Sequence, residues 1–301
     1  MADMKINIAG VEWKNPVTVC SGTFGSGMEY SELTDINRLG AVTTKGIASV
    51  PWEGNETPRI AEVCGGMLNA IGLQGPGVDV FIERDIPFLK KYDTKIVVNV
   101  CGHSEDEYLE VVDRLAGEDV DMLEINISCP NVKEGGIAFG QNPSSAEHIT
   151  SLIKKHAKQP VIMKLSPNVT SIADMAKAVE SGGADAVSLI NTITGMKIDI
   201  RTRRFALANK TGGMSGPAVH PVAVRMVYET AQAVNIPIIG MGGIRNAEDA
   251  IEMMLAGATA VSVGTENFVN PKAAEEVADG IERYLDDNGF SSVSEIVGAV
   301  K

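Results

Sequence analysis

Eight short apolar runs, separated by stretches with helical spacing of apolar residues, constrain this chain more than any other feature. The runs are 17–20, 41–45, 96–100, 122–127, 161–165, 186–190, 238–241 and 260–263. Between them, segments 78–91, 105–116, 145–158, 172–181, 219–234, 247–256 and 271–288 carry the apolar stripe of an amphipathic helix. Strands that alternate with helices pair in parallel, because the helix returns the chain to the same edge of the sheet. Eight such units predict an α/β fold, a (β/α)8 TIM barrel, with a doubly wound open sheet as the alternative. At 301 residues the chain fits one barrel domain spanning 1–301. A small hairpin, 5–8 with 11–13, precedes the first unit and is expected to close the barrel bottom.

Charge and cysteine usage narrow the function. A formal net charge of −13 argues against nucleic acid and anionic membrane as partners, since both are bound chiefly by lysine and arginine. The amino terminus has no apolar core with a cleavage pattern, and no segment stays apolar long enough to span a bilayer, so a cytoplasmic protein is expected. Cys20, Cys64, Cys101 and Cys129 form no Cys-x-x-Cys pair, and the four histidines are scattered. Neither a zinc site nor an iron-sulfur cluster is expected within the chain.

Two segments exceed an ordinary strand-to-helix loop. The first, 47–77, holds two strand-like pieces, 59–63 and 66–69, expected to form a hairpin over the barrel mouth. The second, 191–215, begins with Asn191-Thr192 and carries a basic run, Arg201, Arg203 and Arg204. In barrels of this kind the chemistry lies at the carboxyl ends of the strands, so long insertions there wall the site.

The densest set of polar and reactive groups follows the fourth strand, in Leu123-Glu-Ile-Asn-Ile-Ser-Cys-Pro-Asn-Val-Lys-Glu-Gly-Gly136. Pro130 cannot donate to a ladder, which puts Cys129 at or just past a strand end. A lone cysteine is ordinarily a small buried hydrophobe. Here Asn126, Ser128 and Asn131 surround it with hydrogen-bonding groups, and a thiol pKa of about 8.5 suits proton transfer near neutrality. Cys129 is thus a candidate base or nucleophile, and residues 131–140 a candidate lid.

The remaining strand ends gather Ser21-Gly22, Thr44-Lys45-Gly46, Asn99, Lys164, Asn191-Thr192, Gly242-Gly243 and Gly264-Thr265. Glycine loops after the seventh and eighth strands suit a phosphate held by backbone amides. Lys45 and Lys164 each end an apolar strand, which aims their ammonium groups into the mouth. Two lysines and several amides beside a phosphate cradle suit an anionic cofactor with an anionic substrate, or a Schiff-base lysine.

These residues resemble the dihydroorotate dehydrogenase family. The resemblance is carried by Asn69-Ala-Ile-Gly-Leu73, Asn126-Ile-Ser-Cys-Pro-Asn131, Asn191-Thr192 and the paired glycine loops, and runs from about Lys5 to the last helix. Cys-Pro-Asn-Val-Lys-Glu-Gly-Gly, Asn-Thr-Ile-Thr-Gly-Met and Gly-Gly-Met-Ser-Gly-Pro-Ala are similar to its NAD-linked type B branch rather than its fumarate-linked type A branch. The resemblance implies oxidation of dihydroorotate to orotate in pyrimidine synthesis, with FMN across the barrel mouth. It implies flavin contacts at Ser21, Lys45, Gly46, Asn99, Asn126, Lys164, Ile190, Gly216, Gly242, Gly243, Gly264 and Thr265. It places the pyrimidine at Lys45, Asn69, Ala70, Ile71, Gly72, Leu73, Asn126, Asn191 and Thr192, with Cys129 taking the proton from carbon five. The chain has no Gly-x-Gly-x-x-Gly after a strand to bind NAD itself. The resemblance therefore implies a partner subunit with FAD and a [2Fe-2S] cluster, in a heterotetramer of two catalytic and two electron-transfer chains. The fumarate-linked type A branch, a phosphate-binding barrel aldolase using Lys164 as Schiff base and a nonenzymatic metabolite-binding barrel are the competing readings.

Overall fold

The computed structural model describes residues 2–128 and 139–301. Cys129 and most of the candidate lid lie outside the described residues.

Eight parallel strands form one sheet: Val17–Val19, Ala41–Thr43, Lys95–Val100, Met122–Asn126, Val161–Lys164, Ala186–Leu189, Ile238–Met241 and Ala260–Val263. Successive strands pair in register, as in Val97 with Met122, Leu123 with Val161 and Ile239 with Ala260. The eighth strand pairs with the first through Val261 and Val17. Between the first and second strands, the Gly40 amide donates to the Val17 carbonyl at 2.9 Å and the Thr18 and Thr43 hydroxyls meet at 3.1 Å. These contacts bring the two sheet edges together, and the sheet curls into the (β/α)8 barrel.

The helices form for local reasons and pack for tertiary ones. Glu105–Leu115 buries Tyr108, Val111, Val112 and Leu115, one face of a 3.6-residue repeat. Ser104 caps it by accepting from the Glu107 amide, and Ser171 and Asn246 do the same for Ile172–Ser181 and Ala247–Leu255. The expected helix over 78–91 is interrupted: Val78–Val80 and Ile86–Leu89 flank a π-helical turn, Phe81–Asp85. Pro87 has no amide to give to the preceding turn, which breaks the regular ladder. After the first strand the chain makes only the four-residue helix Ser21–Phe24 and two 3-10 turns, Tyr30–Glu32 and Ile36–Arg38. The hairpin Ile6–Ile8 with Val11–Trp13 packs Ile8 and Trp13, both fully buried, into the main core.

The two insertions merge, which differs from the single hairpin expected. Ile193–Met196, Thr211–Ser215, Gly66–Asn69 and Ile60–Val63 make one four-stranded antiparallel sheet in that order. Leu68, Ala70 and Leu207 form its small core. The Arg201, Arg203 and Arg204 run lies exposed at a two-stranded ribbon, Ile198–Asp199 with Arg204–Phe205, and is not part of the wall of the cavity at the barrel mouth.

Candidate active site

The fourth barrel strand builds the floor of the site by simple alternation. Side chains two apart share a face, so Glu124, Asn126 and Ser128 point one way while Leu123, Ile125 and Ile127 enter the apolar core. Glu124 is 2% exposed and Ser128 fully buried. Their polar atoms are satisfied by one another and by the neighbouring strands. The Asn99 amide donates to one Glu124 oxygen at 2.5 Å and the Ser188 hydroxyl to the other at 2.7 Å. Lys164 Nζ stands 3.5 Å from Glu124 and is itself 5% exposed. The line continues from Asn99 Oδ1, which accepts from Asn126 at 3.4 Å, to Asn126 Oδ1, which accepts from the Ser128 hydroxyl at 3.0 Å. It ends where Asn191 donates to Ser128 at 2.7 Å. Tyr108 donates from its hydroxyl to the Asn126 carbonyl at 2.6 Å and fixes the strand end from the helix side.

Above this network lies a cavity of about 1180 Å³ including its open mouth. Ser21, Lys45, Asn126, Lys164, Ile190, Gly242, Gly243, Gly264 and Thr265 line it, as do Asn69, Ile71, Gly72, Leu73, Asn191 and Thr192. Gly46, Asn99, Gly216 and Ala70 do not. Asn99 stands behind the wall through Glu124 and Asn126. Ala70 lies on the opposite face of its chain segment from Asn69 and Ile71, in the insertion core with Leu68. Residues the sequence reading did not single out also form the wall: Ile60, Met67 and Met214 from the insertion sheet, with Cys20, Met241 and Phe268 from the barrel rim. Ile60, Met67, Met214 and Met241 carry only the signal of alternation within strands, whereas Cys20 and Phe268 lie just beyond strand ends.

The glycine loops after the seventh and eighth strands close one end. Gly242 and Gly243 have φ of +134° and +70°, which favour glycine. A Cβ on Gly243 would stand 2.8 Å from the Gly216 carbonyl oxygen, and one on Gly242 would stand 2.6 Å from Ala223 Cβ. Gly216 therefore acts by letting three chain segments approach rather than by facing the cavity. Thr265 donates from its hydroxyl to Ser215 at 2.8 Å, tying the eighth loop to the insertion sheet. A 3-10 turn, Thr265–Phe268, follows the eighth strand, so backbone turns face the cavity there. His220 joins Nδ1 to the Gly242 carbonyl at 2.8 Å and Nε2 to Glu252 at 3.2 Å, bracing the loop from behind.

Cys20 is the second thiol of interest. Burial pushes its pKa above the ordinary thiol value, while Lys164 and a hydrogen bond with Ser262 pull only part of the way back. It is a neutral thiol against the cavity wall, unsuited to act as a nucleophile. With iodoacetamide at pH 8, Cys20 should be alkylated more slowly than the exposed Cys64, because burial both shields its sulfur and disfavours its thiolate. Peptide mass spectrometry over a time course reads this directly, and equal rates would contradict the assignment.

Among the described residues no helix is long and apolar enough to cross a membrane, and no cluster of metal-ligating side chains occurs. Comparison with known proteins gives a consistent result. The family model for dihydroorotate dehydrogenase matches residues 3–285. The chain is 68% identical over 296 residues to the "Dihydroorotate dehydrogenase B (NAD(+)), catalytic subunit" of Lachnoclostridium phytofermentans, covering 98% of this chain and 99% of that one. It is 59% identical to the protein of the same name from Alkaliphilus metalliredigens, over 99% of both chains. Among solved structures, the crystal structure of DHODH from Eimeria tenella in complex with ferulenol superposes with a TM-score of 0.82 at 23% identity, covering 99% of this chain and 88% of that one. That likeness speaks to the barrel fold, and the full-length relatives speak to kinship. The chain belongs to the dihydroorotate dehydrogenase family.

Proposed function

We propose that this chain is the catalytic subunit of an NAD-linked dihydroorotate dehydrogenase, oxidising dihydroorotate to orotate in pyrimidine synthesis with FMN as its resident cofactor. The observation that carries the reading is one cavity with two lysines and three asparagines in its wall and a glycine cradle closing one end. The names of full-length relatives supply the substrate and the NAD linkage.

The donor set fits FMN. Gly242, Gly243, Gly264 and Thr265 present backbone with no bulky side chain and would hold its phosphate. Ser21, Lys45, Asn126, Lys164 and Ile190 would flank the ring, with Gly46, Asn99 and Gly216 supporting them from behind. When bound, the flavin accepts the two electrons that leave the substrate.

The chain's own residues do the rest. Lys45, Asn69, Asn126, Asn191 and Thr192 offer the cation and amides that a carboxylated pyrimidine requires, and Ile71 to Leu73 supply a wall for its ring. Cys129 would take the proton from carbon five, made acidic by the adjacent carbonyl. Lys164 would place positive charge beside the flavin edge that becomes electron-rich. The Schiff-base alternative is weaker, because Lys164 Nζ is paired with the buried Glu124 carboxylate at 3.5 Å, which commits the nitrogen an imine would use. The electrons would pass to a partner subunit carrying FAD and a [2Fe-2S] cluster, and from there to NAD, within a heterotetramer.

The test is spectral. The purified chain should be yellow and should bleach when dihydroorotate is added without oxygen. It should reduce NAD only when the partner subunit is supplied. A preparation that stays colourless after reconstitution with FMN, or one that turns over with fumarate and no partner, would defeat the proposal.

A further inference from the structure

We propose that Glu124, which lines no part of the cavity, is a positioning residue that holds the Lys164 ammonium against the flavin, anchors the Asn99 amide behind the wall, and keeps that lysine charged in both flavin oxidation states. The inference rests on the flavin reading above and concerns a residue that reading leaves without a role.

Four observations carry it. Glu124 is a carboxylate with 2% exposure in a strand whose other side chains are apolar or amide. Such a group is retained in a barrel interior only if partners replace its water. Its partners are complete: Asn99 at 2.5 Å, Ser188 at 2.7 Å and Lys164 at 3.5 Å. The register sets Lys164 directly between Asn126 on one side and Ser188 on the other, so the lysine reaches up to the cavity while Glu124 sits one pleat below. Finally, Lys164 lines the cavity and Glu124 does not, so the carboxylate acts through the lysine and through Asn99.

The electrostatics follow from this layering. Among the described residues, the groups facing Lys164 are Glu124 from the fourth strand, the Cys20 thiol from the end of the first, and Lys45, which lines the same cavity from the end of the second. The thiol is neutral and Lys45 is a like charge, so Glu124 is the anion that compensates a buried ammonium while the flavin is oxidised and uncharged. Taking up two electrons and one proton makes the flavin an anion, and Lys164 then has a second negative partner. Without Glu124, the buried lone ammonium sheds its proton in the oxidised state and regains it only on reduction. Reduction then takes two protons for two electrons, one on the ring and one on Lys164 Nζ.

The experiment is a spectroelectrochemical titration of the yellow holoprotein between pH 6 and 9, for wild type, Glu124→Gln, Lys164→Met and the double variant. Wild type should show one proton per electron pair in the slope of potential against pH. Glu124→Gln should show two over part of the range, and the double variant should return to the slope of Lys164→Met alone. A flavin-loaded Glu124→Gln protein with the wild-type slope throughout would overturn the proposal and reduce Glu124 to a core-stabilising role. Should Glu124→Gln fail to fold, the net proton change of wild type is read with an indicator dye during reduction by limiting dihydroorotate, which gives a hydride to the ring and loses one proton from carbon five. Release of one proton per flavin, with none retained by Lys164, upholds the inference, and no net release overturns it. A colourless wild type defeats the flavin reading together with this inference, whereas a yellow wild type with an unchanged variant slope defeats this inference alone.

Discussion

Replacing Cys129 by serine is expected to leave the protein yellow and to slow its bleaching by dihydroorotate by about 10²–10⁴-fold near neutral pH, the range a positioned general base contributes. A thiol with an ordinary pKa of about 8.5 can accept a proton at neutrality, and a serine hydroxyl is a far weaker acid. The neighbouring geometry supports the site's suitability. Ser128, one residue earlier, is fully buried and bonded to both Asn126 and Asn191, which line the cavity. The rate loss should shrink as pH rises, because more of the serine variant's residual proton transfer then goes to hydroxide. Stopped-flow absorbance at several pH values reads both effects. An unchanged rate at pH 7 would remove Cys129 from the chemistry and return it to the ordinary buried-thiol reading.

How much of this was legible in the sequence depends on whether a residue's role is local. The barrel strands were, because a parallel strand buried on both faces is a nearly continuous apolar run. The expected runs at 238–241 and 260–263 coincide with Ile238–Met241 and Ala260–Val263, and the other six end within two residues. Lys45 and Lys164 were legible because a charge closing an apolar run has one place to go, the barrel mouth. The strand Thr211–Ser215 was not, since Thr-Gly-Gly-Met-Ser offers little strand propensity and forms only by pairing with both Gly66–Asn69 and Ile193–Met196. Those pairings are tertiary facts. Glu124 carried a visible signal, an acid between leucine and isoleucine in a strand, but its meaning required knowing that Ser188 and Asn99 lie on either side. Gly216 was placed among the cavity contacts for its resemblance to a motif, whereas its structural work is to let the Gly65-Gly66 turn and Gly243 pass close behind the wall.

That close passage makes Gly243→Ala the most damaging single change to cofactor retention that the structure identifies. The residue has φ of +70°, where an L side chain costs about 1–2 kcal/mol. Its Cβ would also meet the Gly216 carbonyl oxygen and His220 Cβ at 2.8 Å and the His220 amide nitrogen at 3.0 Å. Neither backbone group can swing aside as a side-chain tip can. His220 is anchored by its contact with the Gly242 carbonyl, and Gly216 is packed against Gly66. The loop itself must therefore move, carrying the amides of Gly242 and Gly243 away from the cradle. Because the displaced atoms form a rim rather than the core, folding should survive with a modestly lowered melting temperature. The flavin content after purification should fall by about tenfold or more, since each 1.4 kcal/mol lost in binding is a factor of ten. Gly117→Ala is the matched control, with nothing within 4 Å of the added Cβ and a position between a helix and the fourth strand. It should keep the wild-type colour, and a Gly243→Ala protein as yellow as that control would mean that the phosphate lies elsewhere.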